Sequence, residues 1–372
     1  MTVIRVPLSD RAYAIHVSDS YEALPGLLKR LQLPSWGWVV SHPSLLTRYG
    51  PQLLRPLRKA GFQIKTITVP ESERSKSSAM VERVVTQLAR QATMRVPVLF
   101  AFGGGVIGDL TGFAAAVFRR GIPYVQLPTT LLAQVDSAIG GKVGVDLPVA
   151  KNLIGAFYQP KVVFNHLGVL QSLPLRQRRS GLSEIVKYAV IADAALFRFL
   201  ESHVEACLAG ERRVDRVLVE RCCRIKARVV AQDERETTGI RTQLNFGHTL
   251  GHALEAATHY RRFTHGEAIA IGMACASAIS EAMGVMPHRQ HVRVVQLLKD
   301  LGLPVRTKGV ALAAVQRALR YDKKFIRGTV RWVLPTRMGT VTVSESVPPA
   351  LMWRMIRHHV TGAGSNTGGH DG

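Results

Sequence analysis

Residues 96–102 have the composition of a buried strand, and three glycines (103–105) follow them directly. With Gly108 they complete the pattern Gly-x-Gly-x-x-Gly between a strand and the helix that it opens. Such glycines let the backbone approach a pyrophosphate at a helix N-terminus, although a tight structural turn is the alternative explanation for them. The acidic residue that a standard Rossmann module has about 20 positions later is missing, because Gln126 lies there. The segment therefore predicts a nucleotide-binding α/β arrangement of another kind.

Short apolar runs alternate with amphipathic segments through the first 174 residues. This alternation is typical of βαβ units and of a mostly parallel sheet. The predicted strands are 37–41, 62–69, 96–102, 124–127 and 162–164, and the predicted helices are 44–61 and 77–91.

Helical periodicity dominates after residue 174. The predicted helical segments are 183–209, 211–236, 244–258, 265–283, 288–301 and 309–320, with a hairpin at 330–343. We therefore predict an α/β plus all-α fold. It comprises a nucleotide-binding α/β domain (1–174), an α-helical metal-binding domain (175–361) and a disordered tail (362–372).

The chain carries 49 Lys and Arg against 26 Asp and Glu, a formal net charge of +23. Such a charge is typical of nucleic-acid binding. The basic residues are scattered as singles and pairs, however, and aromatic residues (6%) offer few stacking platforms. We expect anionic small molecules, and no nucleic acid, as partners.

The four cysteines show neither CxxC spacing nor the density of a disulfide scaffold, which favours a reducing compartment. The first residues lack the apolar core of a signal peptide. The most apolar stretch, 96–118, contains Asp109 and five glycines, so it does not suit a membrane span. We expect a cytoplasmic protein with no membrane partner.

Small hydroxyls, glycines, lysines and an amide follow the glycine loop within about 25 residues, a combination that suits phosphate recognition. A solvated loop would explain the same composition. The residues are Pro128-Thr129-Thr130, Asp136, Gly140-Gly141-Lys142 and Lys151-Asn152.

Histidines in the helical half are candidate metal ligands. His248 and His252 are four residues apart and share one helix face, and His265 follows. Upstream, Glu184 and Lys187 occupy consecutive turns. Two or three imidazoles with one carboxylate suit a catalytic Zn²⁺ site, although the spacing does not select which two histidines bind.

The HxxxH spacing lacks the adjacent glutamate of the zincin proteases, which disfavours that class. We expect the histidines in charged or terminal contexts to be solvated, namely His166, His203, His259, His288, His291, His358 and His359.

In six segments the chain resembles the 3-dehydroquinate synthase family of the sugar-phosphate cyclase superfamily. Their order and spacing extend the resemblance over about residues 35–335. The segments are GGGVIGDLTGFAAAVFRRG (103–121), LPTTLLAQVDSAIGGKVGVD (127–146), KNLIGAFYQP (151–160), SGLSEIVKYAVI (180–191), LNFGHTLGHALE (244–255) and FTHGEAIAIGM (263–273).

The resemblance implies an active site between the two domains of a lyase of the shikimate pathway, which leads to aromatic amino acids. This enzyme converts 3-deoxy-D-arabino-heptulosonate 7-phosphate to 3-dehydroquinate and phosphate. The implied steps are transient oxidation by NAD, β-elimination of phosphate, re-reduction, ring opening and aldol closure. NAD returns unchanged, and the implied metal is Zn²⁺, with Co²⁺ as a substitute.

The resemblance also assigns roles to individual residues. It gives the metal to Glu184, His248 and His265, and it makes His252 a phosphate contact. NAD is assigned to Glu73, Lys76, Gly104, Gly105, Val106, Asp109, Thr129, Thr130 and Lys151. Substrate binding is assigned to Lys142, Asn152, Asn245 and Lys324, with Arg120 from the neighbouring subunit of a homodimer. Catalysis is assigned to Asp136 and Lys187 near the reacting hydroxyls, to Lys226 and Arg241 at the carboxylate, and to His252.

Three alternatives differ in chemistry. Another cyclase would act on sedoheptulose 7-phosphate, which has no carboxylate to meet Lys226 and Arg241, or on an aminated heptulosonate, which keeps one. A metal-dependent polyol dehydrogenase would not need the residues that the resemblance assigns to the substrate phosphate, namely Lys142, Asn152, Asn245 and His252. A nucleic-acid-binding protein on an inactive scaffold would not need a complete site.

Overall fold

A computed structural model describes residues 1–91, 95–147, 150–321, 325–326 and 329–362. The predicted tail, apart from its first residue, and the substrate candidate Lys324 lie outside the described residues.

The chain forms fifteen strands and thirteen α-helices among the described residues. The strands are β1 (Thr2–Val6), β2 (Tyr13–Ser18), β3 (Trp36–Ser41), β4 (Gln63–Thr68), β5 (Val98–Gly103), β6 (Tyr124–Pro128), β7 (Lys142–Leu147), β8 (Ala150–Phe157), β9 (Val162–His166), β10 (Thr307–Lys308), β11 (Phe325–Ile326), β12 (Thr329–Val330), β13 (Trp332–Arg337), β14 (Thr340–Ser344) and β15 (Val360–Thr361).

The helices are α1 (Leu24–Arg30), α2 (Pro43–Lys59), α3 (Ser78–Gln91), α4 (Gly105–Val117), α5 (Leu175–Ala192), α6 (Ala194–Ser202), α7 (Val204–Ala209), α8 (Arg212–Gln232), α9 (His248–Ala257), α10 (His265–Ala282), α11 (His288–Asp300), α12 (Leu312–Tyr321) and α13 (Pro349–His359). Short 3₁₀ turns lie at Ser9–Arg11, Glu73–Ser75, Phe118–Arg120, Leu167–Ser172 and Ile240–Asn245, and a π-helical turn lies at Ala133–Ser137.

The chain divides into two compact units. The α/β unit contains Met1–Pro174 and Gly210–Thr237, and the helical unit contains Leu175–Ala209 and the residues from Thr238 onward. The segment 210–237, which we predicted to lie in the helical domain, therefore lies in the α/β unit instead. The physical reason is packing, because α8 contacts β1, β2 and the π-helical turn.

A seven-stranded sheet in the order β1-β2-β9-β6-β5-β3-β4 forms the centre of the α/β unit. Among the strands that the structure describes in this sheet, β1 and β2 pair antiparallel and all other neighbours pair parallel. The five predicted strands are confirmed as β3, β4, β5, β6 and β9. Together with the helical second unit, the sheet confirms the predicted α/β plus all-α class.

Helices cover both faces of this sheet. Trp38 and Val40 pack with α3 and α4 on one face, whereas Val39 and Phe100 pack with α1 and α2 on the other. Strands buried on both faces have nearly continuous apolar sequences, which explains why they could be recognised. The parallel strands end at one edge of the sheet, where β5 and β6 deliver the glycine loop and the Thr129-Thr130 segment.

The helical unit differs in detail from the prediction. The segment predicted as one helix over 183–209 falls into α5, α6 and α7, because Asp193 caps a new helix by accepting from the N–H groups of Ala195 and Leu196. The predicted hairpin over 330–343 is confirmed as β13 and β14. Within the described residues, the helices are all too short or too polar to cross a membrane.

Two histidines that we expected to be solvated are buried instead. His166 is 5% exposed, and its Nδ1 accepts from the N–H of Gly168 at the start of a 3₁₀ turn. His359 is 4% exposed at the end of α13, and its Nδ1 donates to the carbonyl of Val305 at 2.8 Å. In both cases burial and a backbone hydrogen bond override the polar sequence context.

Burial of His359 makes stability depend on pH. Burial, with Arg306, His358 and His291 nearby, lowers the pKa of His359 to about 4. The unfolded chain then binds the extra proton below pH ~6.5, so the free energy of unfolding should fall between pH ~6.5 and ~4. Urea unfolding at pH 7 and pH 5 should show a loss of about 2 kcal/mol from this group. The H359Q variant should not show this loss of stability between pH 7 and pH 5. An equal pH dependence of unfolding in both proteins would contradict the assignment of the effect to His359.

Candidate functional site

The glycine loop joins β5 to α4 at the carboxyl edge of the sheet. Gly104 precedes the helix, and a Cβ atom there would lie 3.0 Å from Cγ2 of Thr130. The N–H of Thr129 donates to the carbonyl of Gly103 at 3.0 Å and joins the loops after β5 and β6. The first turn of α4, with Gly105 and Val106, therefore presents helix N–H groups beside Thr129 and Thr130. Such groups suit an anion such as a pyrophosphate.

A buried lysine lies at the centre of a cluster of polar side chains in the α/β unit. Lys76 is 7% exposed, and its Nζ lies 2.6 Å from Oδ2 of Asp109 and donates to Oδ1 of Asn152 at 2.5 Å. Asp146 Oδ1 lies 4.0 Å from the same nitrogen. Burial raises the pKa of Asp109, and Lys76 opposes this shift. An ammonium has three N–H donors, so this lysine can hold a polar ligand as well as these side chains.

Three further residues that the sequence analysis assigned to NAD or substrate binding lie in the same unit as Lys76. Lys151 Nζ lies 2.7 Å from Oε1 of Glu73. Lys142 is exposed at the start of β7 and forms an ion pair with Glu236. The N–H of Asn152 donates to Oδ1 of Asp146, which fixes the amide beside Lys76.

A second buried lysine of the α/β unit holds the π-helical turn. Lys226 on α8 is 5% exposed, and its Nζ donates to both the carbonyl and Oδ1 of Asp136 at 2.7 Å. The pairing explains how α8, although distant in sequence, positions Asp136. It brings together two of the residues that the sequence singled out.

Close packing of helices brings together the candidate metal ligands of the helical unit. A Cβ atom on Gly266 would lie 2.4 Å from Cα of Ser180, and one on Gly272 would lie 1.9 Å from the carbonyl oxygen of Gly247. These glycines therefore allow α10 to lie against α5 and α9 at backbone distance. Glu184 on α5, His248 at the start of α9 and His265 at the start of α10 meet as a result.

The ligand atoms of this trio lie within 4.8 Å of one another. Oε1 of Glu184 is 3.2 Å from Nε2 of His265 and 3.6 Å from Nε2 of His248. The Nδ1 atom of His248 donates to the carbonyl of Phe246 at 3.1 Å, which directs Nε2 to the cluster. Two imidazoles and one carboxylate form a donor set that suits Zn²⁺ and leaves a coordination position for a substrate.

The electrostatics of the trio favour a cation. Burial lowers the pKa of His265, but the carboxylates of Glu255 and Glu184 outweigh it and raise the pKa to about 10. Without metal, the imidazole is therefore charged at neutral pH. A metal ion would replace that positive charge and displace the proton. The residues present thus fit a divalent ion.

Other candidates of the helical unit lie near the trio in sequence. Lys187 is 2% exposed and forms an ion pair with Glu184 one turn away. His252 is exposed, and its ring centroid lies 5.1 Å from that of His248. Arg241 is buried in the 3₁₀ turn that ends at Asn245, just before α9.

Two acidic residues were not predicted as parts of these groups. Asp146 lies beside Lys76, and Glu255 lies beside His265. The sequence signal for Glu255 was its spacing, since it follows His248 by seven residues, or two helical turns, on the same face.

Comparison with known proteins identifies the family. The family domains described as 3-dehydroquinate synthase N-terminal and C-terminal match residues 66–180 and 181–325. A 3-dehydroquinate synthase from Picosynechococcus sp. is 44% identical over 352 residues, which cover 94% of this chain and 96% of that protein. Another, from Synechococcus sp., is 42% identical over 360 residues, covering 95% of this chain and 98% of that protein.

A solved structure agrees with these relatives. ValA, a 2-epi-5-epi-valiolone synthase from Streptomyces hygroscopicus subsp. jinggangensis determined with NAD⁺ and Zn²⁺ bound, has a TM-score of 0.86 and 27% identity. The match covers 95% of this chain and 98% of that chain. The chain therefore belongs to the 3-dehydroquinate synthase family.

Proposed function

We propose that this chain is an enzyme that converts 3-deoxy-D-arabino-heptulosonate 7-phosphate to 3-dehydroquinate and phosphate, with NAD and a divalent metal, Zn²⁺ or Co²⁺. The observation that carries the proposal is the trio of Glu184, His248 and His265. Its donor set suits a catalytic metal, and it occurs in a chain 44% identical to a 3-dehydroquinate synthase over nearly its whole length.

The two cofactors would supply different chemistry. NAD, when bound, would supply a transient oxidation of the C5 hydroxyl and its later reversal. The metal, when bound, would act as a Lewis acid toward the substrate hydroxyls. We assign the metal to the trio and NAD to the glycine loop, the Thr129-Thr130 segment, the Lys76–Asp109 pair and the Lys151–Glu73 pair.

The remaining side chains would bind and orient the substrate. Lys142, Asn152, Asn245 and His252 would hold the phosphate, and Lys226 and Arg241 would hold the carboxylate. Asp136, fixed by Lys226, and Lys187, fixed by Glu184, would serve the reacting hydroxyls. Holding a flexible intermediate in its reactive pose is a large share of this catalysis.

We propose a homodimer in which Arg120 acts at the neighbouring subunit. The backbone supports this role, since Arg119 and Arg120 have φ angles of 49° and 61°, a left-handed conformation that costs energy in residues other than glycine. The turn presents Arg120 as an exposed side chain. We further propose a cytoplasmic location, which the four buried free thiols favour.

Substrate discrimination tests the proposed function. The purified chain with NAD and Zn²⁺ should release phosphate from the heptulosonate and form 3-dehydroquinate. With sedoheptulose 7-phosphate, kcat/KM should be at least about 100-fold lower, because the buried cations would lack their carboxylate. A preference for sedoheptulose 7-phosphate would instead favour the alternative of another sugar-phosphate cyclase.

A further inference from the structure

His265 makes polar contacts through both of its ring nitrogens. Nε2 lies 3.2 Å from Oε1 of Glu184, within the metal trio. Nδ1 lies 3.3 Å from Oε2 of Glu255, on the opposite side of the ring. The imidazole therefore lies between two carboxylates, and only one of them belongs to the trio.

Glu255 is a buried carboxylate. It is 5% exposed, and a buried carboxylate is costly unless a hydrogen bond or an opposite charge compensates it. It lies on α9, the helix that begins with His248, so a single helix supplies one trio member and the contact to another. The same arrangement therefore fixes the relative positions of His248 and His265.

An ionised carboxylate can only accept, so Nδ1 of His265 must donate the hydrogen in this contact. Once a metal ion displaces the proton on Nε2, the lone pair of that nitrogen is directed at the trio. A carboxylate partner also makes the imidazole a stronger ligand, and removal of such partners typically weakens metal binding 10- to 100-fold. The equivalent nitrogen of His248 donates instead to a neutral acceptor, the carbonyl of Phe246.

We propose that Glu255 is a positioning residue that orients His265 and sets the metal affinity of the site. The inference rests on the proposed metal trio and adds to it a residue that does not contact the ion. A competing arrangement uses the same atoms, since His252, Glu255 and His265 also offer ligand atoms within 4.8 Å of one another. In that arrangement Glu255 would bind a second ion.

The test measures the affinity of the full-length protein for Zn²⁺ by competition with a chelator, and the visible spectrum of the Co²⁺ form. E255Q should bind Zn²⁺ about 10-fold more weakly and E255A up to about 100-fold more weakly. Both variants should bind one ion per chain, with a changed Co²⁺ spectrum and unchanged NAD affinity. E255D, which keeps the charge, should recover part of the affinity.

E281Q is the matched control. Glu281 lies on α10 and contacts Nδ1 of His288 at 2.5 Å, so it forms a glutamate–histidine pair of the same kind outside the trio. The Zn²⁺ affinity and the Co²⁺ spectrum of E281Q should equal those of the parent protein. Thermal unfolding of the metal-free proteins shows whether any loss of affinity reflects loss of the fold.

The outcomes separate this inference from the proposed function. Equal Zn²⁺ affinity in the parent, E255Q and E255A would overturn the role of Glu255 and leave the proposed function intact. Two ions per parent chain and one per E255Q chain would overturn it in favour of a second metal site. A parent protein that binds neither Zn²⁺ nor Co²⁺ would overturn both the inference and the proposed function.

Discussion

Substitution of His265 by alanine should abolish both metal binding and turnover. The imidazole is one of the three proposed ligands, and its Nε2 lies 3.2 Å from the carboxylate proposed as another. Two remaining ligands are too few for the three-ligand geometry typical of catalytic zinc. The bound metal should fall from about one ion per chain to almost none, and kcat/KM should fall at least about 1,000-fold, or ~4 kcal/mol.

Elemental analysis after dialysis, together with phosphate release, measures this prediction. The control is H259N, which changes an exposed histidine in the same unit and suits the left-handed backbone there (φ 51°). This variant should keep its metal and its activity. Normal zinc content in H265A would contradict the ligand assignment, whatever happened to the rate.

Replacement of Lys76 by methionine should weaken both the fold and coenzyme binding. The ammonium pairs with Asp109 at 2.6 Å in a site where the lysine side chain is 8% exposed and the aspartate 17%. Removal of one partner leaves a buried charge uncompensated, so the free energy of unfolding should fall by about 3 kcal/mol. Loss of the proposed charge-assisted hydrogen bond from Lys76 to NAD should weaken NAD binding roughly 10- to 100-fold. Urea unfolding and NAD titration measure the two effects.

A double variant separates the two effects. K76M with D109N removes both charges, so it should regain about 2 kcal/mol of the lost stability but not the NAD affinity. K161M changes an exposed lysine of the same unit and should alter stability by less than about 0.5 kcal/mol. Normal NAD affinity in K76M would refute the coenzyme assignment.

The elements that could be predicted were those whose sequence pattern has one physical explanation. Strands β3, β5 and β6 are buried on both faces and have continuous apolar runs, so they were recognised. The hairpin of β7 and β8 was not recognised, since glycines and polar residues interrupt the apolar positions of both strands. These glycines are required by close contact, because a Cβ atom on Gly144 would lie 2.4 Å from the carbonyl oxygen of Ile154.

The features that could not be predicted from the sequence are those that depend on tertiary packing. Helical periodicity identified α8 as a helix but gave no information on which unit it would join. The contact between Lys226 and Asp136 joins residues 90 positions apart, and no local pattern encodes it. The family motifs identified the trio as candidates, whereas Glu255 became meaningful only once α9 and α10 were in contact.

The balance of NAD during turnover tests the central proposal most directly. The protein should be given the heptulosonate phosphate in large excess over NAD, with Zn²⁺ present, while phosphate, 3-dehydroquinate and NADH are followed together. We predict equal amounts of phosphate and 3-dehydroquinate, many for each NAD, with no net NADH and with activity lost on metal removal and restored by Zn²⁺ or Co²⁺. NADH that accumulates in step with product, or turnover that survives metal removal, would contradict the account.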